Sequence, residues 1–284
     1  MTDMIDALIR TLRRPAIRDR LVPALRRTGL LGIAFRRYEL MQARTAPGAA
    51  AVAPPEADGL PLPPPELRVL VAGTPDAGWF LGFGRAMFET IVAAAARDGA
   101  PIDRMTSVLE FGCGSGRVLR HWHGVRGPAI HGTDYNPRLV AWCRAHLPFA
   151  TIAQNQLEPP LPYADASFDF IYAISVFTHL KESLQHAWIA ELRRVLKPAG
   201  RLLVTTHGAS FRDQLDAAER RAFDAGQLVV RYEETSGMNL CSAYHPESFV
   251  RTRLAVGFDV RELIPVGQRE AIGQDVYLLR KHPA

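Results

Sequence analysis

The feature that most constrains the fold is a regular alternation of short apolar runs and helical patterns that begins at Ser107. Apolar runs of strand length stand at 107–111, 129–133, 149–153, 168–174 and 201–206, and helical patterns lie between them at 115–123, 137–146 and 181–196. Such alternation is typical of repeated βαβ units, whose strands are parallel and whose helices cover both faces of the sheet. The pattern therefore predicts an α/β fold with a doubly wound, mostly parallel sheet.

The C-terminal end departs from this alternation. Phe258 to Ile264 and Asp275 to Arg280 have the pattern of strands, and the segment between them contains glycine and shows no helical spacing. Two strands joined without a crossover helix pair antiparallel. We therefore expect a seven-stranded sheet with a C-terminal antiparallel hairpin at its edge.

A glycine-rich turn follows the first predicted strand. The residues expected to contact a ligand there are Glu110, Phe111, Gly112, Gly114, Ser115 and Gly116. Glycines let the backbone approach a ligand closely because no side chain fills the space. A nicotinamide-binding loop has glycine or alanine at the next position, where this chain has Arg117. The turn indicates a nucleotide-like ligand, and Arg117 argues against a nicotinamide cofactor.

Polar residues follow the next two strands at the same edge of the sheet. Asp134 stands just beyond the second strand, where a carboxylate can accept hydrogen bonds from both ribose hydroxyls. Tyr135 offers a ring to stack on adenine, or is a surface aromatic at a helix start. Asn155 and Gln156 follow the third strand, and the Asn155 amide oxygen can accept a hydrogen bond from an adenine amino group.

Four motifs in this order resemble those of class I S-adenosylmethionine-dependent methyltransferases. They are the glycine turn, the acidic strand end at Asp134, the segment 165–180 and the segment 191–204, which contains a Lys-Pro-Ala-Gly turn. The chain departs from the family in having amides at 154–156, where an acid is common. The resemblance implies S-adenosylmethionine as the cofactor, a bacterial enzyme of small-molecule or glycan methylation, and Ile174 as a cofactor contact beneath the methyl group.

Three histidines are candidates for a general base. His179 follows the fourth strand, His207 follows the fifth, and His245 lies in the segment after it. Imidazole titrates near neutral pH, and the carboxyl ends of parallel strands share one cleft. The sequence does not choose among the three, and a helix-cap or pocket-lining role stays open for His179.

The methyl acceptor is expected to be a small molecule. The Asn/Asp-Pro-Pro-Tyr/Phe signature of nucleobase methylation is missing where Ile174-Ser175-Val176-Phe177 stands, and no acidic set for a metal is evident. The insertion at about 208–257 is expected to shape the acceptor pocket. We expect O-methylation of a small-molecule or sugar hydroxyl. The alternatives are N- or C-methylation of a metabolite, a non-catalytic cofactor-binding or partner module, and a nicotinamide-dependent oxidoreductase.

Positive charge is concentrated in the first 45 residues. They hold ten arginines and four carboxylates, so the totals of 34 basic and 29 acidic residues leave 24 and 25 for the rest. A nearly neutral body argues against a nucleic-acid partner. We expect residues 1–45 to form a basic helical extension that packs on the body or a second subunit, or that contacts a membrane surface or partner. Residues 46–66 have the composition of a linker, and 67–284 that of a Rossmann-like domain.

Three cysteines, Cys113, Cys143 and Cys241, show no metal-ligand spacing and fit a reducing compartment. No apolar run approaches the roughly 18 residues of a membrane span, and the N-terminus lacks the pattern of a signal peptide. We expect a cytoplasmic protein. Its oligomeric state is left open, a homodimer included.

Overall fold

The computed structural model describes residues 22–45, 58–268 and 273–283. Helices α1 to α7 are Leu31–Thr45, Pro65–Ala72, Ala77–Arg97, Pro137–His146, Glu182–Val195, Ala217–Asp224 and Glu247–Phe249. A helical segment at 22–27 precedes α1, and a π-helical turn, Val250–Leu254, continues α7. Strands β1 to β9 are Ser107–Phe111, Ala129–Asp134, Ala150–Gln154, Phe168–Ala173, Leu196–Thr206, Val229–Arg231, Ser242–Tyr244, Phe258–Ile264 and Asp275–Lys281.

The main sheet has seven strands in the order β3-β2-β1-β4-β5-β9-β8. Strands β1 to β5 are parallel to one another, and β9 is antiparallel to both β5 and β8. The predicted α/β fold with a doubly wound sheet and a C-terminal antiparallel hairpin is confirmed. The antiparallel strand itself, β9, lies one place inside the edge that β8 forms. The strand order reverses at β1 and β4, and in open α/β sheets ligands bind at such a point.

Apolar layers cover both faces of the sheet. One contains Met87 and Ile91 of α3, and the other contains Trp188 and Leu192 of α5. Strand β4 lies between these layers and is buried along nearly its whole length, which explains its almost continuous apolar sequence. The core thus fixes the carboxyl ends of β1 and β4 in place.

One predicted helix was wrong. Residues 115–123 form turns and a short 3₁₀-helix, Leu119–Trp122. The cause is local, because Gly114 and Gly116 have φ of +55° and +84°, outside the range of a right-handed helix. The buried side chain of Arg120 then anchors the 3₁₀ turn through an ion pair with Asp58 at 2.9 Å.

The N-terminal elements pack on the glycine turn. Helix α2 begins at Pro65, inside the segment assigned to the linker, and a proline suits the first helical position because its missing N–H has no partner there. A Cβ on Gly114 would lie 2.7 Å from Val71 Cγ2 of this helix. Helix α1 packs on α2 in turn. The expectations for residues 1–21 and 46–57 lie outside the described residues.

None of the described helices combines the length and the apolarity that crossing a bilayer requires.

Candidate functional site

A cavity with about 1050 Å³ of empty space, including the solvent at its mouth, opens at the carboxyl ends of β1, β2 and β4. Its floor is the glycine turn with Arg117, and its sides are the strand ends at 134–136, 155–157 and 174–176, together with His179. Helices α1 and α2 and the segment 237–239 close it from above through Arg36, Glu39, Leu70, Val71, Gly237, Met238 and Asn239.

The glycine turn is held by backbone hydrogen bonds. The N–H groups of Gly112 and Cys113 both donate to the carbonyl of Thr133 at 2.8 Å. A Cβ on Gly112 would lie 2.5 Å from Val176 Cγ2, and its φ is +74°. Packing against the protein therefore requires glycine there, in addition to the close ligand approach that the sequence indicated.

Asp134 connects this turn to the second strand end. Its Oδ2 accepts from Gly114 N–H at 2.9 Å, and its Oδ1 accepts from Asn136 N–H at 2.8 Å. Burial raises the pKa of Asp134 to about 6, although these bonds favour the ionised form. A carboxylate has about four acceptor sites, so acceptor capacity remains for ligand hydroxyls.

Glu110 is a buried carboxyl at the floor of the cavity. Trp122 Nε1–H donates to Tyr172 Oη at 2.7 Å, and Tyr172 O–H donates to Glu110 Oε2 at 3.0 Å. Burial raises the pKa of Glu110 to about 8. A cationic ligand group beside this carboxyl favours its ionised form, and the attraction between the two charges then strengthens ligand binding.

Arg117 supplies a buried positive charge to the same floor. Its guanidinium lies over the Phe83 ring, 4.2 Å from the centroid, and burial lowers its pKa to about 10. Its Nε has no hydrogen-bond partner among the described residues. Glu110 and Arg117 thus place an ionisable carboxyl and a positive charge at one end of the cavity.

His179 presents a basic nitrogen to the cavity. Its Nδ1 lies 2.7 Å from the Cys241 carbonyl oxygen, and because a carbonyl only accepts, Nδ1 carries the proton and Nε2 keeps its lone pair. Burial lowers the pKa of His179, so the ring is neutral at pH 7. The backbone carbonyl of His179 accepts from Gly237 N–H at 2.7 Å. This bond connects the His179 backbone to the segment 237–239.

The other two histidines lie behind His179. The rings of His207 and His179 are 6.4 Å apart, and Gln274 Nε2 lies 3.2 Å from His207 Nε2. His245 is fully buried, and its Nε2 lies 3.0 Å from Gln185 Oε1. Burial lowers the pKa of His207 to about 4 and that of His245 to about 3.

A metal site is not found in the described ranges, because no three His, Cys, Asp or Glu side chains lie together in an arrangement that could hold an ion.

Comparison with known proteins assigns a domain within this chain. The model of a methyltransferase domain matches residues 109–204, which contain the glycine turn, Asp134 and His179. Residues 109–204 are a methyltransferase domain of the S-adenosylmethionine-dependent, class I type.

Curated relatives match this domain and its surroundings. A malonyl-[acyl-carrier protein] O-methyltransferase from Enterobacter lignolyticus is 32% identical over 120 residues, which are 42% of this chain and 46% of the relative. A probable S-adenosylmethionine-dependent methyltransferase from Mycolicibacterium smegmatis is 40% identical over 100 residues, 35% of this chain and 37% of the relative. The chain therefore spans about half or less of the curated relatives it matches.

Solved structures agree on the fold of the methyltransferase domain. A methyltransferase of this type from Methanosarcina mazei superposes with a TM-score of 0.50 at 18% identity, covering 66% of this chain and 98% of that one. At this identity the likeness concerns the fold alone. The predicted cofactor of the family, S-adenosylmethionine, is confirmed.

The residues of the cavity fit that cofactor. Glu110 suits the ammonium and sulfonium groups, Arg117 suits the carboxylate, and Asp134 has free acceptor sites for the ribose. Asn155 Oδ1 is buried and has no partner among the described residues, while its Nδ2 donates to the Gln156 carbonyl at 2.6 Å. An unpaired buried acceptor fits the adenine amino group, which is a donor.

The methyltransferase domain brings most of the predicted site residues together. Nine predicted cofactor residues line the cavity: Glu110, Phe111, Gly112, Gly114, Asp134, Tyr135, Asn155, Gln156 and Ile174. Ser115 and Gly116 lie behind its wall, where Ser115 is buried and a Cβ on Gly116 would meet Leu147 Cδ1 at 2.5 Å. Of the three candidate bases only His179 lines the cavity, while His207 and His245 stand behind it.

Tyr135 has a role that the sequence did not suggest. Its O–H donates to the Gly237 carbonyl at 2.6 Å, which connects the β2 strand end to the roof of the cavity. In the insertion, Met238 reaches the cavity lining, whereas Tyr244 and Phe249 are buried in the protein core. The insertion thus contributes to the cavity at Met238 and to the protein core at Tyr244 and Phe249.

Sequence reasoning missed the contribution of the N-terminal extension. Asn239 Nδ2 lies 2.9 Å from Glu39 Oε1 of α1 and 3.1 Å from the Leu70 carbonyl of α2, so one amide joins three parts of the roof. Burial raises the pKa of Glu39 to about 7. The only available signal was the amphipathic pattern of residues 30–43, which does not tell what the buried face covers.

Ligand affinity should depend on the protonation of Glu110. Binding of the ligand ammonium favours the ionised form of Glu110, whose pKa is about 8. The affinity for S-adenosylhomocysteine is therefore expected to rise about tenfold between pH 7 and pH 9, and binding should release a proton. Titration calorimetry in buffers of different ionisation enthalpy measures this release. Glu110→Gln should flatten the pH dependence, and an unchanged profile in that variant would contradict the assignment.

His245 should contribute to stability rather than to the chemical step. Its ring holds Gln185, whose Nε2 donates to the carbonyls of Phe177 and Leu180 on either side of the His179 turn. His245→Ala is expected to lower the free energy of unfolding by about 2–4 kcal/mol, since it leaves a cavity and an unpaired amide oxygen. Urea denaturation tests this, with His186→Ala on the surface of α5 as the control.

The stability from His245 should also depend on pH. Its pKa falls from 6.5 in the unfolded chain to about 3 in the fold, so this contribution is complete above pH 6.5 and is lost as the pH falls below it. The loss of stability between pH 6.5 and pH 4 should be smaller in His245→Ala than in the wild type. If the free energy of unfolding changed equally with pH in the two proteins, the result would contradict a neutral, buried His245 ring.

Proposed function

We propose that this protein transfers a methyl group to a hydroxyl oxygen of a small acceptor, such as a sugar or a secondary metabolite. The observation that carries the proposal is the neutral His179 in the cavity wall, with Nδ1–H bound to the Cys241 carbonyl and Nε2 left basic. S-adenosylmethionine, when bound, supplies an electrophilic methyl group on sulfonium. A hydroxyl must lose its proton to attack, and His179 Nε2 is the group proposed to take it.

The remaining residues of the site bind and orient. Methyl transfer is an in-line displacement, so the protein has to hold acceptor and donor close and aligned while water is excluded. We propose that the roof formed by α1, α2 and residues 237–239 excludes water, and that Met238 lies beside the acceptor. The roof also limits the size of the acceptor, which favours a small molecule over a polymer.

Two further features support the proposal. The relative from Enterobacter lignolyticus is an O-methyltransferase by name, which favours oxygen as the methylated atom. Cys113, Cys143 and Cys241 are free and buried, which fits a reducing compartment and a cytoplasmic reaction. We further propose that residues 67–284 act as one catalytic unit, with residues 1–45 as an extension and 46–66 as a linker.

Transfer of labelled methyl to fractionated cell extracts tests the proposal. The expected result is one labelled small molecule whose new methyl group is on oxygen by mass spectrometry. Methylation on nitrogen or carbon would refute the hydroxyl acceptor. A protein that binds S-adenosylhomocysteine by calorimetry but labels no fraction would instead support a non-catalytic module.

A further inference from the structure

Helix α1 has two different faces. Its inner face is buried through Leu31, Glu39 and Ala43, and Gly32 lies close to Met238 in the roof of the cavity. Its outer face leaves Ile33 58% exposed, and Leu30 just before the helix is 48% exposed. Two large apolar side chains are therefore exposed within three residues at the start of α1.

The outer face is also strongly basic. Arg27, Arg36 and Arg37 are exposed around Leu30 and Ile33, and we call these five residues the arm patch. Arg26 beside them is paired with Glu234 at 2.7 Å. Within the described residues 22–45 the one carboxylate is Glu39, which is buried, bonded to Asn239 and near Arg36. One buried carboxylate stands against the arginines of this segment, so the segment carries a net positive charge.

We propose that the arm patch docks on an anionic lipid bilayer. Apolar side chains flanked by arginines on one face are what a helix needs in order to lie in a membrane interface, with the apolar groups inserted and the guanidinium groups on lipid phosphates. The patch has only two large exposed apolar side chains, Leu30 and Ile33. A stable protein interface instead buries about 800 Å² per partner, so a bilayer fits this surface better than a folded acidic protein.

Docking in this way has a consequence for the cavity. Arg36 belongs to the arm patch and also lines the cavity, and Glu39, one helical turn away, lines it from the buried face. A protein held by the arm patch therefore has one helix of the cavity roof at the bilayer surface. Amphiphilic molecules in that bilayer then lie near the roof of the site.

Flotation of the full chain with lipid vesicles tests the proposal. We expect binding to vesicles with about 30 mol% phosphatidylglycerol in phosphatidylcholine, little binding to pure phosphatidylcholine, and release at about 1 M salt. Ile33→Glu should lower the partition coefficient at least about tenfold. Val256→Glu is the matched control, since Val256 is 60% exposed far along the chain from the arm patch.

Two results would overturn the proposal. One is a wild-type protein that does not float with anionic vesicles, which would also be the outcome if the patch served a protein partner. The other is equal binding by Ile33→Glu and Val256→Glu. S-adenosylhomocysteine affinity, measured on each variant, is expected to stay at the wild-type value and so establishes correct folding. Because flotation needs no methyl transfer, its result is independent of the proposed reaction.

Discussion

His179→Asn is expected to lower kcat by about 10²- to 10⁴-fold, the usual contribution of a general base, while S-adenosylhomocysteine affinity stays within about twofold. The amide can keep the hydrogen bond to the Cys241 carbonyl that His179 Nδ1 makes at 2.7 Å, but it cannot take a proton at pH 7. Steady-state kinetics with the acceptor from the labelling experiment measure kcat, and calorimetry measures affinity.

His186→Asn is the matched control for this change. His186 lies on α5 soon after His179, faces solvent beside Glu182, and should be replaceable without loss of kcat. Because burial lowers the pKa of His179, the wild-type kcat should be constant above pH 6.5 and fall only at more acidic pH, as the ring gains a proton. An unchanged kcat in His179→Asn would show that the acceptor arrives already ionised or needs no base.

The central part of the site could be predicted because each of its residues lies at or after the end of a strand of the parallel sheet. A glycine turn after a buried strand and Asp134 after the next strand must meet when the strands are parallel neighbours, as β1 and β2 are. His179 follows from the same rule, since it lies beyond the end of β4 beside β1. Asn136 beside Asp134 has a structural role instead, because its side chain caps α4 by accepting from Arg138 N–H.

The features that the sequence did not predict depend on contacts between segments that are far apart in the sequence. The residues at 115–123 have the composition of a helix. Their helix propensity is overridden by the positive φ of the glycines at 112, 114 and 116 and by the long-range ion pair of Arg120 with Asp58. The roof contacts of Glu39 and Asn239 join positions 200 residues apart. No periodicity in either segment identifies such a partner. Likewise, the burial of His245 depends on Gln185 from another element and not on its own neighbours.

Asp134→Ala is expected to weaken S-adenosylhomocysteine binding by about 10- to 150-fold, which corresponds to about 1.5–3 kcal/mol for hydrogen bonds to a charged group. The position of Asp134 after the second strand predicted one role for it, as acceptor for the ribose hydroxyls. The geometry adds a second, because the same carboxylate holds Gly114 N–H at 2.9 Å and so fixes the glycine turn. Affinity and stability should therefore fall together, which calorimetry and urea denaturation measure separately.

Asp169→Ala distinguishes the two roles of Asp134. Asp169 also accepts backbone N–H bonds, from Thr106 and Ser107, but at the opposite end of the sheet. Although burial alone acts to raise its pKa, Lys197 and these bonds lower it to about 2. Its removal should reduce stability above pH 4 and leave ligand affinity unchanged. A comparable loss of affinity in Asp169→Ala would mean that Asp134→Ala acts only by loosening the fold.

The pH dependence gives an independent test of the ribose contact. The pKa of Asp134 is about 6 before ligand binds, and hydroxyl donors favour the ionised carboxylate, so affinity should rise as the pH increases through 6 with release of a proton. Asp134→Asn has no such proton and should lose this step in the affinity profile, while the separate step near pH 8 from Glu110 remains. A wild-type profile that is flat between pH 5 and pH 7 would remove the carboxylate from the binding contact and leave it only the bonds to the backbone N–H groups of Gly114 and Asn136.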